Sequence, residues 1–149
     1  MKQEVERKFL VQGMEWKNLA TKKLYCKQGY LNRDKERTVR IRICNDQGFL
    51  TIKSKTESLR RMEFEYEISV QDARYMLENL CTPPIIEKIR YIVPVSKNLF
   101  WEIDEFLGKQ KGLIIAEIEL PQETTHFLFP SWLGKEVSGN PQYYNSNIR

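Results

Sequence analysis

One histidine, three cysteines and seven glycines in 149 residues leave several chemistries short of parts. With His126 alone, a Ser–His or Cys–His nucleophile would depend on a single imidazole set beside Phe127 and Phe129, and such a neighbourhood reads as structural. Cys26, Cys44 and Cys81 are odd in number and widely spaced, with no Cys-x-x-Cys. That excludes a zinc cluster and predicts reduced, structural thiols in a cytoplasmic protein. The glycines form no P-loop, so any phosphate must be held by Arg and Lys side chains. No apolar run approaches membrane-spanning length, and Met1-Lys2-Gln3-Glu4 is charged where a signal peptide needs apolar residues. A membrane partner is therefore not expected.

What the chain has is charge of both signs. Its 24 basic and 20 acidic residues leave a net charge of only +4, too small for a purely electrostatic nucleic-acid binder. A small polyanion held with metal ions suits the mixture better. The length fits one domain over residues 1–149 with a real core.

The charges follow a two-residue period, which in a strand places them on one face. Residues 2–11 open the chain as a strand with Glu4, Glu6 and Lys8 together. A short helix is expected from Met14 to Leu24, on the spacing of Trp16, Leu19 and Ala20. Tyr25 to Leu31 reads as a strand, with Gly29 a bulge or a point of close approach. Thr38–Cys44, Phe49–Lys55 and Arg61–Ile68 alternate strictly, and Asn45-Asp46-Gln47-Gly48 makes a hairpin turn between the first two. Ser69 caps a helix through Leu80 that Pro83-Pro84 ends. Strands resume at Ile86–Val93, Leu99–Leu107 and Leu113–Leu120, and the tail from Trp132 reads as a packed loop with short helical pieces.

The signs are sorted by strand. Arg40 and Arg42, Lys53 and Lys55, and Lys88 and Arg90 occupy three strands; Glu63, Glu65 and Glu67, Glu102 and Asp104, and Glu117 and Glu119 occupy others. A sheet that needs only solubility would interleave signs, because like neighbours repel. Sorting makes sense if the faces look at one another across a closed barrel, where carboxylates hold hard cations and bases hold phosphoryl oxygens. Apolar partners such as Val39, Ile41, Phe64, Tyr66 and Ile118 would then face outward under helices. The pattern alone leaves this and the reverse arrangement, apolar inside and charges in water, equally open.

Taken in order, the motifs resemble the CYTH domain family of triphosphate tunnel metalloenzymes, in its short bacterial branch. They are Glu4-x-Glu6-x-Lys8, Gln28-Gly29-Tyr30-Leu31, Val39-Arg40-Ile41-Arg42, Leu50-Thr51-Ile52-Lys53, Glu63-Phe64-Glu65-Tyr66-Glu67, Glu87-Lys88-x-Arg90-Tyr91, Trp101-Glu102-Ile103-Asp104-x-Phe106, Ala116-Glu117-Ile118-Glu119-Leu120, and in the tail Gly134-Lys135-Glu136-Val137-Ser138 and Tyr144-Asn145. The resemblance implies an α+β, mainly β fold: an eight-stranded antiparallel closed barrel with a charged lumen and a few helices outside. It implies metal-dependent hydrolysis of inorganic triphosphate or a related compound, with Mg²⁺ or Mn²⁺ required. ATP or short polyphosphate are further candidate substrates, and a homodimer is left open.

By the same resemblance, Lys8, Arg40, Arg42, Lys53, Lys88 and Arg90 would hold the phosphate chain. Glu4, Glu6, Glu117 and Glu119 would position metal. Glu63, Glu65 and Asp104 would serve a second metal or the attacking water, and Tyr30 falls where a tyrosine near Lys8 is considered catalytic. Lys55, Glu67 and Glu102 lie nearer strand ends, at the rim. Ser54 and Ser138 depart from the family's usual glycine and threonine without removing a charge. Two other functions fit the same tunnel: a class IV-type adenylyl cyclase, and a non-catalytic polyphosphate- or nucleotide-binding module. Nine carboxylates on one face argue against the last.

Overall fold

A computed structural model describes all of residues 1–149. Its strands are β1 (Lys2–Val11), β2 (Lys22–Asn32), β3 (Arg37–Cys44), β4 (Gln47–Ser54), β5 (Arg60–Ile68), β6 (Thr82–Ser96), β7 (Leu99–Phe106), β8 (Ile114–Glu119) and β9 (Leu133–Glu136), with one α-helix, α1 (Val70–Asn79). The antiparallel order β5-β4-β3-β2-β6-β7-β8-β1-β9 closes on itself because β1 also pairs with β5. Eight strands thus form a barrel, and β9 is an added strip. One edge of β1 meets β8 along Glu6–Leu10. Its other edge is divided, with Lys2–Val5 on β5 and Phe9–Val11 on β9.

The pleat decides what faces where. Outward residues of β1 and β6–β8, among them Phe9, Tyr91, Trp101, Ile103 and Ile118, form the larger core with Trp16, Trp132 and Leu133. Edge-to-face rings knit it together, Phe9 on Trp101 at 5.7 Å and Trp101 on Trp132 at 5.4 Å. On the far side α1 lays Ala73, Leu77 and the following Cys81 against Ile41. Ser69 accepts from the Asp72 amide at 3.0 Å, which caps α1 as its sequence requires. A third cluster, Ile86, Phe106, Ile115 and Ile148, carries the parity of the lumen residues and gives the barrel a dry floor.

Four expectations change. The segment after β1 is a 3₁₀ helix, Glu15–Leu19, and β2 begins at Lys22, so the expected helix is shorter and tighter. Only Trp16 of its apolar residues is buried, too few to hold a longer amphipathic turn. The tail contributes β9, unforeseen because four residues carry almost no periodicity. Helices do not cover the whole outer wall: Tyr66 is 54 % exposed, since α1 reaches only β2–β4. Finally, Cys26 and Cys44 are not separate thiols. They oppose each other directly on β2 and β3 and form a disulfide, while Cys81 alone is free. The reduced-thiol expectation failed because pairing depends on register, which spacing does not reveal, and it no longer supports a reducing compartment.

Gly29 is a close-approach point: a Cβ there would sit 2.7 Å from Ile85 and 3.0 Å from Cys81. The β2–β6 register shifts beside it, between Gln28 and Tyr30.

Candidate active site in the lumen

Charged side chains fill the lumen because the alternation that puts Val39 and Ile41 outside puts Arg40 and Arg42 inside. Arg40, Lys53, Lys88, Arg90, Glu4, Glu63, Asp104 and Glu117 are all buried. Buried charge is tolerated only when paired or hydrogen-bonded, and these groups are. The Lys53 ammonium donates to both oxygens of Glu4 at 3.0 Å and lies 3.3 Å from Glu63. Asp104 is shared: Lys88 donates to it at 2.7 Å, and Arg90 reaches it through Nε at 2.7 Å and a second nitrogen at 2.8 Å. Arg90 also donates to Glu102 at 2.8 Å, so that residue joins the wall of the site despite its expected rim position. Lys8 Nζ sits 3.6 Å from Glu117 and 3.9 Å from Glu6. Glu65 accepts from Arg42 at 3.3 Å and from Thr51 at 3.1 Å. Lys2 covers Glu119 at 2.7 Å.

Two connected cavities follow this lining. One opens among Lys8, Tyr30, Arg61 and Ser138; the other among Arg42, Glu63, Glu65, Arg90, Glu117 and Glu119. Glu4, Glu6, Arg40, Lys53 and Asn145 belong to both. Every residue expected at the site except Lys88 and Asp104 lines one or the other, and those two lie in the wall, tied to Arg90. Lys55 and Glu67 are absent from both linings. Arg61, Thr51 and Asn145 also line the cavities, yet none is given a role in the sequence motifs, although Thr51 and Asn145 stand within them. Arg61 and Thr51 share the parity of Glu63 and Lys53 and could have been found that way; Asn145 sits in an irregular tail that offers no parity.

Protonation follows the crowding. Burial works against a charged Glu4, but Lys53 and then Arg61 outweigh it and bring its pKa down to about 2. Burial, with Glu117 and Glu4 close by, pushes Glu6 well above the usual carboxylate range. Glu117 goes the other way: burial is outweighed by Lys8, Arg90 and Lys88 and by a hydrogen bond with Glu6. The two carboxyls titrate as a coupled pair, with Glu6 the more readily protonated. Burial, with Arg40 and Arg90 adding repulsion, brings Arg42 down to about 9. Burial also lowers Lys88 to about 8, although Asp104 opposes it.

Glu65 is the acid that both Arg40 and Arg42 reach, at 3.9 and 3.3 Å, and Lys8 stands between Glu6 and Glu117. No three carboxylates converge on a ready-made metal cluster. The donor set nevertheless suits a hard divalent ion: the carboxylate oxygens of Glu4, Glu6, Glu117 and Glu119, and the buried, unpartnered Oδ1 of Asn145. The Nε atoms of Arg40 and Arg42 are likewise buried without a partner.

Comparison with known proteins agrees with the geometry. The CYTH domain profile matches residues 2–147. A protein of Acetivibrio thermocellus named inorganic triphosphatase is 49% identical over 148 residues, covering 99% of this chain and 94% of that one. Another so named, from Nitrosomonas europaea, is 32% identical, covering 97% and 95%. A crystal structure described as an inorganic triphosphatase superposes with a TM-score of 0.67 at 29% identity, over 97% of this chain and 95% of the other. With its sign-sorted strands closed around a charged lumen, the chain belongs to the CYTH domain family.

Proposed function

We propose that the protein hydrolyses inorganic triphosphate, or a related triphosphate compound, to orthophosphate and pyrophosphate within the lumen, with a divalent cation. The observation that carries this is the gathering of Arg40, Arg42, Lys53 and Arg90 around one buried cavity, with the Nε atoms of Arg40 and Arg42 left without a partner. Cations pressed together out of water are stabilised by a polyanion placed among them. The names of relatives at 49% and 32% identity point to the same substrate.

Lys8, Arg40, Arg42, Lys53, Lys88 and Arg90 neutralise the phosphate chain and fix its register. Asp104, engaged by both Lys88 and Arg90, is better placed to orient those two than to hold metal. Glu4, Glu6, Glu117 and Glu119 hold the cation, Mg²⁺ or Mn²⁺, which when bound polarises phosphoryl oxygens. Glu65, held by Arg42 and Thr51, accepts the proton of the water whose oxygen attacks the terminal phosphorus as the bridging P–O bond breaks. Glu63 supports it through Lys53, and Tyr30, lining the cavity with Lys8, completes the wall beside the chain.

No helix is long and apolar enough to cross a membrane. The test is product analysis with Mg²⁺ or Mn²⁺ and either triphosphate or ATP. Orthophosphate and pyrophosphate from triphosphate are expected. Cyclic AMP from ATP, or tight binding without turnover, would overturn the reading.

A further inference from the structure

The last 13 residues, from Val137 to Arg149, are built as a brace. The Val137 amide donates to the Lys8 carbonyl at 2.9 Å, and the Lys8 amide donates to Ser138 Oγ at 2.9 Å. Beyond two 3₁₀ turns, Ile148 is buried in the lumen floor with Ile86, Phe106 and Ile115. Arg33 reaches over to the carbonyls of Ser146 at 3.1 Å and Thr82 at 2.9 Å, which ties the brace to the start of β6. Between these anchors Lys8 Nζ donates to the Tyr143 carbonyl at 3.3 Å. Backbone pinned at Tyr143 and at Ser146 leaves Asn145, between them, little freedom.

Asn145 enters the lumen at the neck shared by both cavities. Its Nδ2 donates to Glu117 Oε1 at 3.3 Å. A carboxylate accepts and does not donate, so this contact fixes which end of the amide is nitrogen. The carbonyl Oδ1 therefore faces the other way, and it is buried with no partner in the protein. A buried acceptor is normally satisfied. Around it stand several acids: Glu4 and Glu6 line the same neck, and Glu117 lies on the other side of the amide.

We propose that Asn145 is an oxygen donor of the cation site, its Oδ1 facing the divalent ion, directly or through one of that ion's waters, while Nδ2 orients Glu117. This rests on the proposed function only for the presence of a divalent ion. A neutral oxygen suits the position, since Glu4, Glu6, Glu117 and Glu119 already line the same cavity.

The experiment is Mn²⁺ titration without substrate, following free Mn²⁺ by electron paramagnetic resonance, with a thermal melt of the metal-free protein alongside. Asn145→Ala removes both amide atoms and is expected to weaken Mn²⁺ binding by about tenfold. Asn145→Asp keeps an oxygen but loses the donor to Glu117, and it is expected to stay within about threefold of wild type. Asn147→Ala, which removes only a bond from Nδ2 to the Pro141 carbonyl at 2.8 Å, loosens the brace and should leave Mn²⁺ affinity unchanged. If Asn145→Ala does not fold, Asn145→Ser, which also lacks the carbonyl, takes its place with the same expectation. Equal weakening in the Asp and Ala variants would reduce Asn145 to a prop for Glu117 and overturn the proposal, as would Mn²⁺ affinity unchanged in Asn145→Ala. Because no triphosphate is present, a failure of the hydrolase reading leaves these outcomes legible.

Discussion

Glu4 and Lys53 meet through both carboxylate oxygens, each 3.0 Å from the ammonium, across 49 positions of sequence and with almost no exposure to water. Breaking a buried pair leaves an uncompensated charge. Lys53→Met is expected to lower stability by about 3 kcal/mol, measured by urea denaturation without metal. Mn²⁺ should then raise the melting temperature of this variant more than that of wild type, because Glu4 and Glu63 lose their shared buried cation and keep only Arg61 and Lys2, each 3.6 Å away. Equal shifts would show that these acids do not contribute to the ion's site.

Asp104 holds two bases at once. Asp104→Asn preserves its shape but leaves Lys88, with no exposed surface, without its acid, and Arg90 with Glu102 alone. A loss of about 3 kcal/mol or more is expected, and added triphosphate should restore part of it by supplying negative charge. A urea midpoint equal to wild type would place the structural anion elsewhere.

Lys88 gives the site a pH dependence of defined sign. Burial lowers its pKa to about 8, so below that value it is charged in the free protein and a polyanion binds without proton exchange. Above it the free ammonium is lost, and binding must bring a proton back. Triphosphate affinity should therefore fall by up to about tenfold per unit as pH rises above 8. Calorimetry at pH 8.5 in buffers of different ionisation enthalpy should register proton uptake. Affinity flat to pH 9.5 would contradict the assignment of Lys88 to the phosphate chain.

The bridge between Cys26 and Cys44 predicts a thiol count. Denatured without reductant, the protein should present one reactive thiol, Cys81, and after reduction three. Replacing both bridge residues with serine should cost about 3 kcal/mol, the scale for a closed loop near this 18-residue separation. Three thiols without reductant would rule the bridge out.

How far the sequence revealed this molecule depended on periodicity. Wherever a two-residue period ran for several turns of the pleat, as in Thr38–Cys44 or Arg61–Ile68, strand, face and charge sorting were legible. Which face points inward was not, because Arg40 and Ile41 alternate identically in either arrangement; family resemblance supplied that choice. Positions outside any period could be given no face or contact, even where a motif included them. Asn145 and the pairing of Leu133–Glu136 with β1 depend on where an irregular tail is pinned. The disulfide depends on a hairpin register that matches Cys26 with Cys44 while both flank unrelated residues in sequence. Glu102 was misjudged for a related reason: its distance from the strand's end matters less than the reach of the Arg90 side chain across to it.

The outward aromatics and the inward charges occupy alternate positions of the same strands, so two vocabularies are written into one text. Phe9, Trp101 and Ile118 spell the barrel; Lys8, Glu102 and Glu117, each one residue away, spell the chemistry. Such interleaving lets each be revised without rewriting the other, provided every lumen charge keeps an opposite number. A wall of this kind can be handed from one phosphate reaction to another while its outer letters stay the same.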